Sequence, residues 1–99
     1  MLNIKNTREE ARLTVALEGR LDTTTAPDLE KNLQESIQGV EELTMDFEKL
    51  DYISSAGLRV LLSTQKIINK QGSMKLCHVN ESIMEILEVT GFVNILTIE

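Results

Sequence analysis

Two adjacent hydroxyls stand in the run Asp51-Tyr52-Ile53-Ser54-Ser55-Ala56-Gly57-Leu58-Arg59, just where Leu58, Leu61, Leu62 and Ile68 begin to recur at helical spacing. Ser54 or Ser55 is therefore placed to be the N-cap of a helix. A helix mouth offers unpaired amide hydrogens and a partial positive charge, which suits a phosphate as well as a serine oxygen. These residues admit two readings: serines that only cap a helix, or a serine that carries a removable phosphate. Enzymatic use of a serine would need a base and an orienting acid, and the single histidine, His78, lies outside this segment. No glycine-rich phosphate loop follows the first strand, and no paired carboxylates accompany a deep-pocket pattern, so no catalytic residue is assigned.

The elements that must position those hydroxyls can be read from periodicity. Leu13, Val15 and Leu17 alternate with polar neighbours as a strand does, and Leu2 with Ile4 predicts a shorter strand before it, joined through the polar segment Thr7-Arg8-Glu9-Glu10. Thr23-Thr24-Thr25 with Pro27 and Asp28 is a helix start, and Ala26, Leu29, Leu33 and Ile37 share one face up to Gly39. Leu43, Met45 and Phe47 form a strand that runs into the serines. The next helix is expected from about Ala56 to Lys70, with Val60 and Ile67 widening its apolar stripe. Met74 to Val79 reads as a strand, Asn80 as a cap, and Ile83, Ile86 and Leu87 as the inner face of a helix ending at Gly91. Val93 to Ile98 is expected as a last strand.

Strands alternating with helices imply parallel crossovers, hence an α/β fold whose sites form beyond the carboxyl ends of the strands. That rule selects the segments Arg20 to Thr25 and Leu50 to Gly57. If their strands are neighbours, Asp22 and Thr23 lie beside Ser54 and Ser55. Asp22 could then hold the serine hydroxyl or help orient a kinase-bound metal, or simply form a turn. Arg59 is a cation in the first turn, where the helix dipole disfavours it, so it reads as a contact to a partner or to phosphate, or as a solvated side chain. Gly57 allows close approach of backbone or partner, or packs the helix on a strand. His78 has no Asp or Cys partner at metal-ligand spacing along the chain and reads as a structural histidine. Met45, Met74 and Met84 read as core, and Glu81, Glu85 and Glu88 as a solvated face.

Composition narrows the function classes. The 99 residues fit one domain spanning 1–99. Ten basic against 16 acidic residues give a formal charge of -6, which repels nucleic-acid backbones and anionic lipid surfaces. One cysteine, Cys77, leaves no disulfide framework and no metal cluster at ligand spacing along the chain. No apolar run approaches a membrane span and the N-terminus lacks a signal-peptide pattern, so a cytoplasmic protein without cofactor or metal is expected.

The pairing of Gly19-Arg20-Leu21-Asp22-Thr23 and Ala26 with Asp51 to Leu61 resembles the STAS domain family, most of all its stand-alone bacterial anti-anti-sigma factors (anti-sigma factor antagonists). The resemblance covers the whole chain. It implies a STAS-like fold, a mixed sheet of four or five strands with three to four α-helices packed against it. It also implies a partner, an anti-sigma factor that is a serine kinase with a histidine-kinase-like ATP fold, and a PP2C-type phosphatase that reverses the modification. By position Ser55 is the phosphate acceptor, with Ser54 as the alternative; Ser54 takes the place where many relatives have aspartate, and Ala56 stands where relatives have a second hydroxyl. The docking face would comprise Asp22, Thr23, Thr24, Ser54, Ser55, Ala56, Gly57, Leu58 and Arg59. A monomer is expected. The alternative function is an unphosphorylated STAS subunit of a lipid or anion transporter.

Overall fold

The computed structural model describes all residues, Met1–Glu99. Five strands form one sheet in the order β1-β2-β3-β4-β5: β1 Leu2–Glu9, β2 Arg12–Leu21, β3 Glu42–Ile53, β4 Ser73–Cys77 and β5 Thr97–Ile98. The hairpin β1–β2 is antiparallel and every later pair is parallel. Three helices make the crossovers: α1 Ala26–Ser36, α2 Ser55–Ile68 and α3 Glu81–Val89. Because the parallel strands add in sequence order and crossovers are right-handed, all three helices must fall on the same side of the sheet. Burial agrees. Leu13, Val15, Leu17 and Leu21 of β2, Leu43, Met45 and Phe47 of β3, and Met74 and Leu76 of β4 are buried among the helices. Their alternates, including Thr14, Glu18, Thr44, Asp46, Lys75 and Cys77, occupy an uncovered, polar face. The core is one cluster of 23 buried apolar residues, almost wholly aliphatic, with Phe47 its single aromatic.

Several expectations are corrected. Strand β1 runs through Thr7, Arg8 and Glu9, and the turn is only Glu10-Ala11, with Glu10 at φ 58°. The polar residues belong to an edge strand that borrows partners from α1: Asn6 donates to Asn32 and Ser36, and Arg8 donates to the carbonyls of Ser36 and Gln38 at the helix C-terminus. The end of the chain is a 3₁₀ turn, Phe92–Asn94, followed by the two-residue β5, which pairs with Lys75 and Leu76 of β4; the 3₁₀ turn takes up the residues expected to begin the strand. Helix α2 ends at Ile68, two residues before Lys70, and Ile67 is 43% exposed; the residue next to Ile68 in sequence points away from the sheet. Met84 is half-buried, while Met45 and Met74 are core.

Two register shifts between β2 and β3 set the approach to the serines. They change the spacing of buried residues in β3 from alternation at Leu43, Met45 and Phe47 to steps of three at Leu50 and Ile53. Gly19, at φ 110°, lies between them, and a Cβ there would collide with the carbonyl oxygen of Met1.

Candidate functional site

Strands β2 and β3 are parallel neighbours, so the loops leaving their carboxyl ends adjoin. The Ser54 amide donates to the carbonyl of Leu21 at 2.9 Å, which stitches the serine segment to the start of the Asp22 loop. Both α1 and α2 begin at this edge. Between their first turns lies a groove of about 180 Å³ lined by Thr23, Ala26, Pro27, Glu30, Ala56, Arg59 and Val60.

The two serines have different surroundings. Ser54 is the N-cap residue, in extended backbone, yet its hydroxyl makes no capping bond; Oγ is buried and has no hydrogen-bond partner. The expected serine cap is therefore absent from α2. Ser55 is the first helical residue and is exposed. The first intrahelical bond runs from the Leu58 amide to the Ser54 carbonyl at 3.0 Å, so the amides of Ser55, Ala56 and Gly57 have no helical acceptor. Arg59, one turn on from Ser55, is exposed and forms no ion pair.

Asp22 does not reach the serines. Its Oδ1 accepts from the Thr24 hydroxyl at 2.7 Å and from the amides of Thr24 and Thr25, each at 3.1 Å. The Thr24 hydroxyl is the main reason its carboxyl is lowered to about 2, with the Thr25 and Thr24 amides adding to it against a partial desolvation. Thr25 Oγ1 in turn donates to the Arg20 carbonyl at 2.8 Å and accepts from the Asp22 amide at 2.9 Å. The loop is thus a closed turn that presents Thr23 and Thr24 to solvent and keeps Asp22 charged.

Gly57 and Leu58 belong to the packing beneath the site. A Cβ on Gly57 would lie 2.7 Å from Leu21 Cγ and 2.8 Å from Ile53 Cγ1, so glycine lets α2 press on the ends of β2 and β3. Leu58 is 5% exposed. Neither side chain can form the outer face on which a partner would rest, whereas Thr23, Thr24, Ser55 and Arg59 are exposed and Asp22 and Ala56 half-buried. One neighbour escaped the sequence reading: Arg20 lies over the Tyr52 ring at 4.3 Å from its centroid, with Nε 3.8 Å from Asp22 Oδ2. Their cross-strand partnership depends on the register shifts, which no single-chain pattern displays.

His78 is also corrected. It lies just past β4, exposed, with Nδ1 2.9 Å from Asp46 Oδ1, so it has the acidic partner that the linear spacing did not show. That contact keeps the only histidine on the open face of the sheet, engaged away from Ser54 and Ser55, and no serine–histidine dyad forms.

With this geometry in place, comparison with known proteins is decisive for the family: the STAS domain matches residues 3–99. The chain belongs to the STAS domain family. The anti-sigma F factor antagonist of Paenibacillus polymyxa is 32% identical over 100 residues, covering 98% of this chain and 86% of that protein. Among solved structures, an anti-sigma factor antagonist from Mycobacterium paratuberculosis superposes with a TM-score of 0.90 at 18% identity, over 99% of this chain and 85% of that one. The Bacillus cell fate determinant SpoIIAA, solved in its phosphorylated form, gives 0.77 at 15% identity over 98% and 91%. The five-stranded mixed sheet with three helices is thus the STAS fold. No helix of this STAS chain is long and apolar enough to cross a membrane.

Proposed function

We propose that this protein is an anti-sigma factor antagonist that works by partner switching, docking through the mouth of α2 and releasing its partner when Ser55 is phosphorylated. The partner in this reading is an anti-sigma factor that is also a serine kinase with a histidine-kinase-like ATP fold, and a PP2C-type phosphatase restores the free hydroxyl. The observation that carries the choice of Ser55 is its exposure on the first turn of α2, beside a Ser54 hydroxyl that is buried. The docking surface is the groove between α1 and α2 with Thr23, Thr24, Ser55, Ala56 and Arg59 around it, while Asp22, Ser54, Gly57 and Leu58 shape it from below.

The chemistry of the switch is electrostatic. Phosphate brings about -1.5 to -2 charges and three acceptor oxygens. At the mouth of α2 the amides of Ser55, Ala56 and Gly57 and the helix dipole favour it, so the fold tolerates the modification. The partner does not: a surface that fits a small hydroxyl must instead bury a hydrated dianion, at a cost of several kcal/mol without a cation to pair it. This protein is then the substrate of phosphorylation and does no catalysis of its own.

The test is to incubate the purified chain with ATP and each serine kinase of its own cell, then map phosphate by mass on the peptide holding Ser54 and Ser55. A single addition that Ser55→Ala eliminates and Ser54→Ala retains is the expected result. Retention of the phosphate in Ser55→Ala would move the switch to another residue. No addition with any kinase would leave the transporter-subunit reading in its place.

A further inference from the structure

The only cysteine and the only histidine of the chain are adjacent, and the fold places both against an aspartate on the uncovered face of the sheet. We propose that Asp46, Cys77 and His78 form a binding site for a divalent transition-metal ion of the zinc class.

Three observations carry it. The parallel register pairs Asp46 of β3 directly with Cys77 of β4, so carboxylate and thiol project from the same face, side by side. A residue following Cys77 in regular strand would project to the opposite face, into the core. The strand stops at Cys77 instead, and His78 adopts a left-handed backbone, φ 56°, which brings its ring back to the polar face beside Asp46. One ligand atom from each residue lies within 4.8 Å of the other two. Tetrahedral zinc, with bonds of about 2.0 to 2.3 Å, needs ligands about 3.5 Å apart, a closure that side-chain rotation of an exposed histidine supplies.

The donor set is selective. Thiolate, imidazole and carboxylate together suit zinc and its cobalt surrogate and are poor ligands for magnesium or calcium, which take oxygen alone. A thiolate and a carboxylate would neutralise a dication exactly in number. Asp46 is oriented for this role by the Glu48 amide, which donates to its Oδ1 at 3.0 Å; on binding, the His78 ring would exchange its contact with Oδ1 for the ion, with Oδ2 free to face it. Three protein ligands at a partly exposed position leave a fourth open to water or to a group from another molecule.

The inference is independent of the serine switch, and cobalt binding tests it. The 99-residue chain, reduced and metal-free, is titrated with Co²⁺ and followed by the thiolate-to-cobalt charge-transfer band in the near ultraviolet; with one cysteine present, that band reports Cys77 alone. The expected result is saturation at one equivalent, displacement by Zn²⁺, loss of the band in Cys77→Ser, and at least tenfold weaker binding in both Asp46→Asn and His78→Asn. Asparagine also tolerates the left-handed backbone, so the last variant removes the ligand and keeps the turn. Circular dichroism of each variant confirms that it is folded. Absence of the band in the wild type, or affinities in Asp46→Asn or His78→Asn weakened by less than tenfold, would overturn the site and leave a lone thiol that scavenges metal.

Discussion

The mouths of α2 and α3 are built from the same kind of sequence and finished in opposite ways. At α3, Asn80 takes extended backbone, accepts from the Ile83 amide at 2.9 Å and donates to the Leu50 carbonyl at 3.0 Å, so the cap closes the helix and ties it to β3. At α2, Ser54 takes the same backbone region, yet its hydroxyl is turned inward without a partner and the first amides stay open. A helix needs a cap for stability, worth about 1 kcal/mol, and α2 forgoes one. The difference marks where stability has been given up and where it has been kept: Ser55 stands beside amides left open at the α2 mouth, whereas the exposed Ser82 of α3 stands beside an Ile83 amide already taken by Asn80.

The largest expected effect separates the two mouths by charge. Ser55→Asp should weaken binding to the anti-sigma partner by ~10²-fold or more, equivalent to about 2.7 kcal/mol, while Ser55→Ala should bind constitutively. A carboxylate added at the α3 mouth, Ser82→Asp, should leave affinity unchanged. Titration calorimetry with the purified partner distinguishes these outcomes, and equal affinities for the two Ser55 variants would remove the special status of α2.

Packing gives the next effect. Since a Cβ at Gly57 would lie within 3 Å of Leu21 and Ile53, Gly57→Ala must shift those side chains or the start of α2 against the sheet. A loss of about 1 to 3 kcal/mol in urea unfolding is expected, with partner affinity reduced as well because the groove opens. Gly91, just beyond α3, has open space around its missing Cβ, so any cost there would come from its φ of 79° instead.

Asn80→Ala should then cost about 1 to 2 kcal/mol, as it removes both the cap of α3 and the bond to Leu50. Thermal unfolding would show it, and partner binding should be unaffected. A smaller effect concerns the third mouth, that of α1, where Asp22 satisfies the loop amides. Its carboxyl, at about 2 against an ordinary 3.8, favours the folded state when ionised. The sign follows: this contribution is complete above pH 3.8 and is lost as the pH falls from there through about 2. Carboxyl-carbon NMR should give a midpoint near 2 for Asp22, and Thr24→Val should raise it.

How much of this could be read from residues alone depends on whether the feature is local. Helix faces such as Leu29 with Leu33, or Ile83 with Leu87, repeat along one element and were legible, as was the Asn80 cap. The meeting of the Asp22 and Ser54 loops was legible too, given strand adjacency. The turn Glu10-Ala11 was not, because neither residue is a typical turn former and edge-strand polarity hid Thr7 to Glu9. Contacts made by register, Arg20 with Tyr52 and Asp46 with Cys77 and His78, have no linear signature. Nor did Ser54 reveal that its hydroxyl turns inward, since the residue type is the same for a working cap and a silent one.

That last point yields the smallest effect and the sharpest discrimination. A serine at an N-cap ordinarily loses about 1 kcal/mol on replacement by alanine. Here the hydroxyl caps nothing, and a buried hydroxyl without a partner is itself a cost that alanine relieves. The backbone anchor, Ser54 amide to Leu21 carbonyl, survives the substitution, and the extended backbone of Ser54 suits alanine equally. Ser54→Ala should therefore fall within about 0.5 kcal/mol of wild type or be slightly more stable, against the 1 to 2 kcal/mol lost in Asn80→Ala. Urea unfolding of the two variants side by side measures the difference directly. A loss at Ser54 equal to that at Asn80 would mean that the serine caps α2 in solution after all, and the open mouth on which phosphate acceptance depends would close.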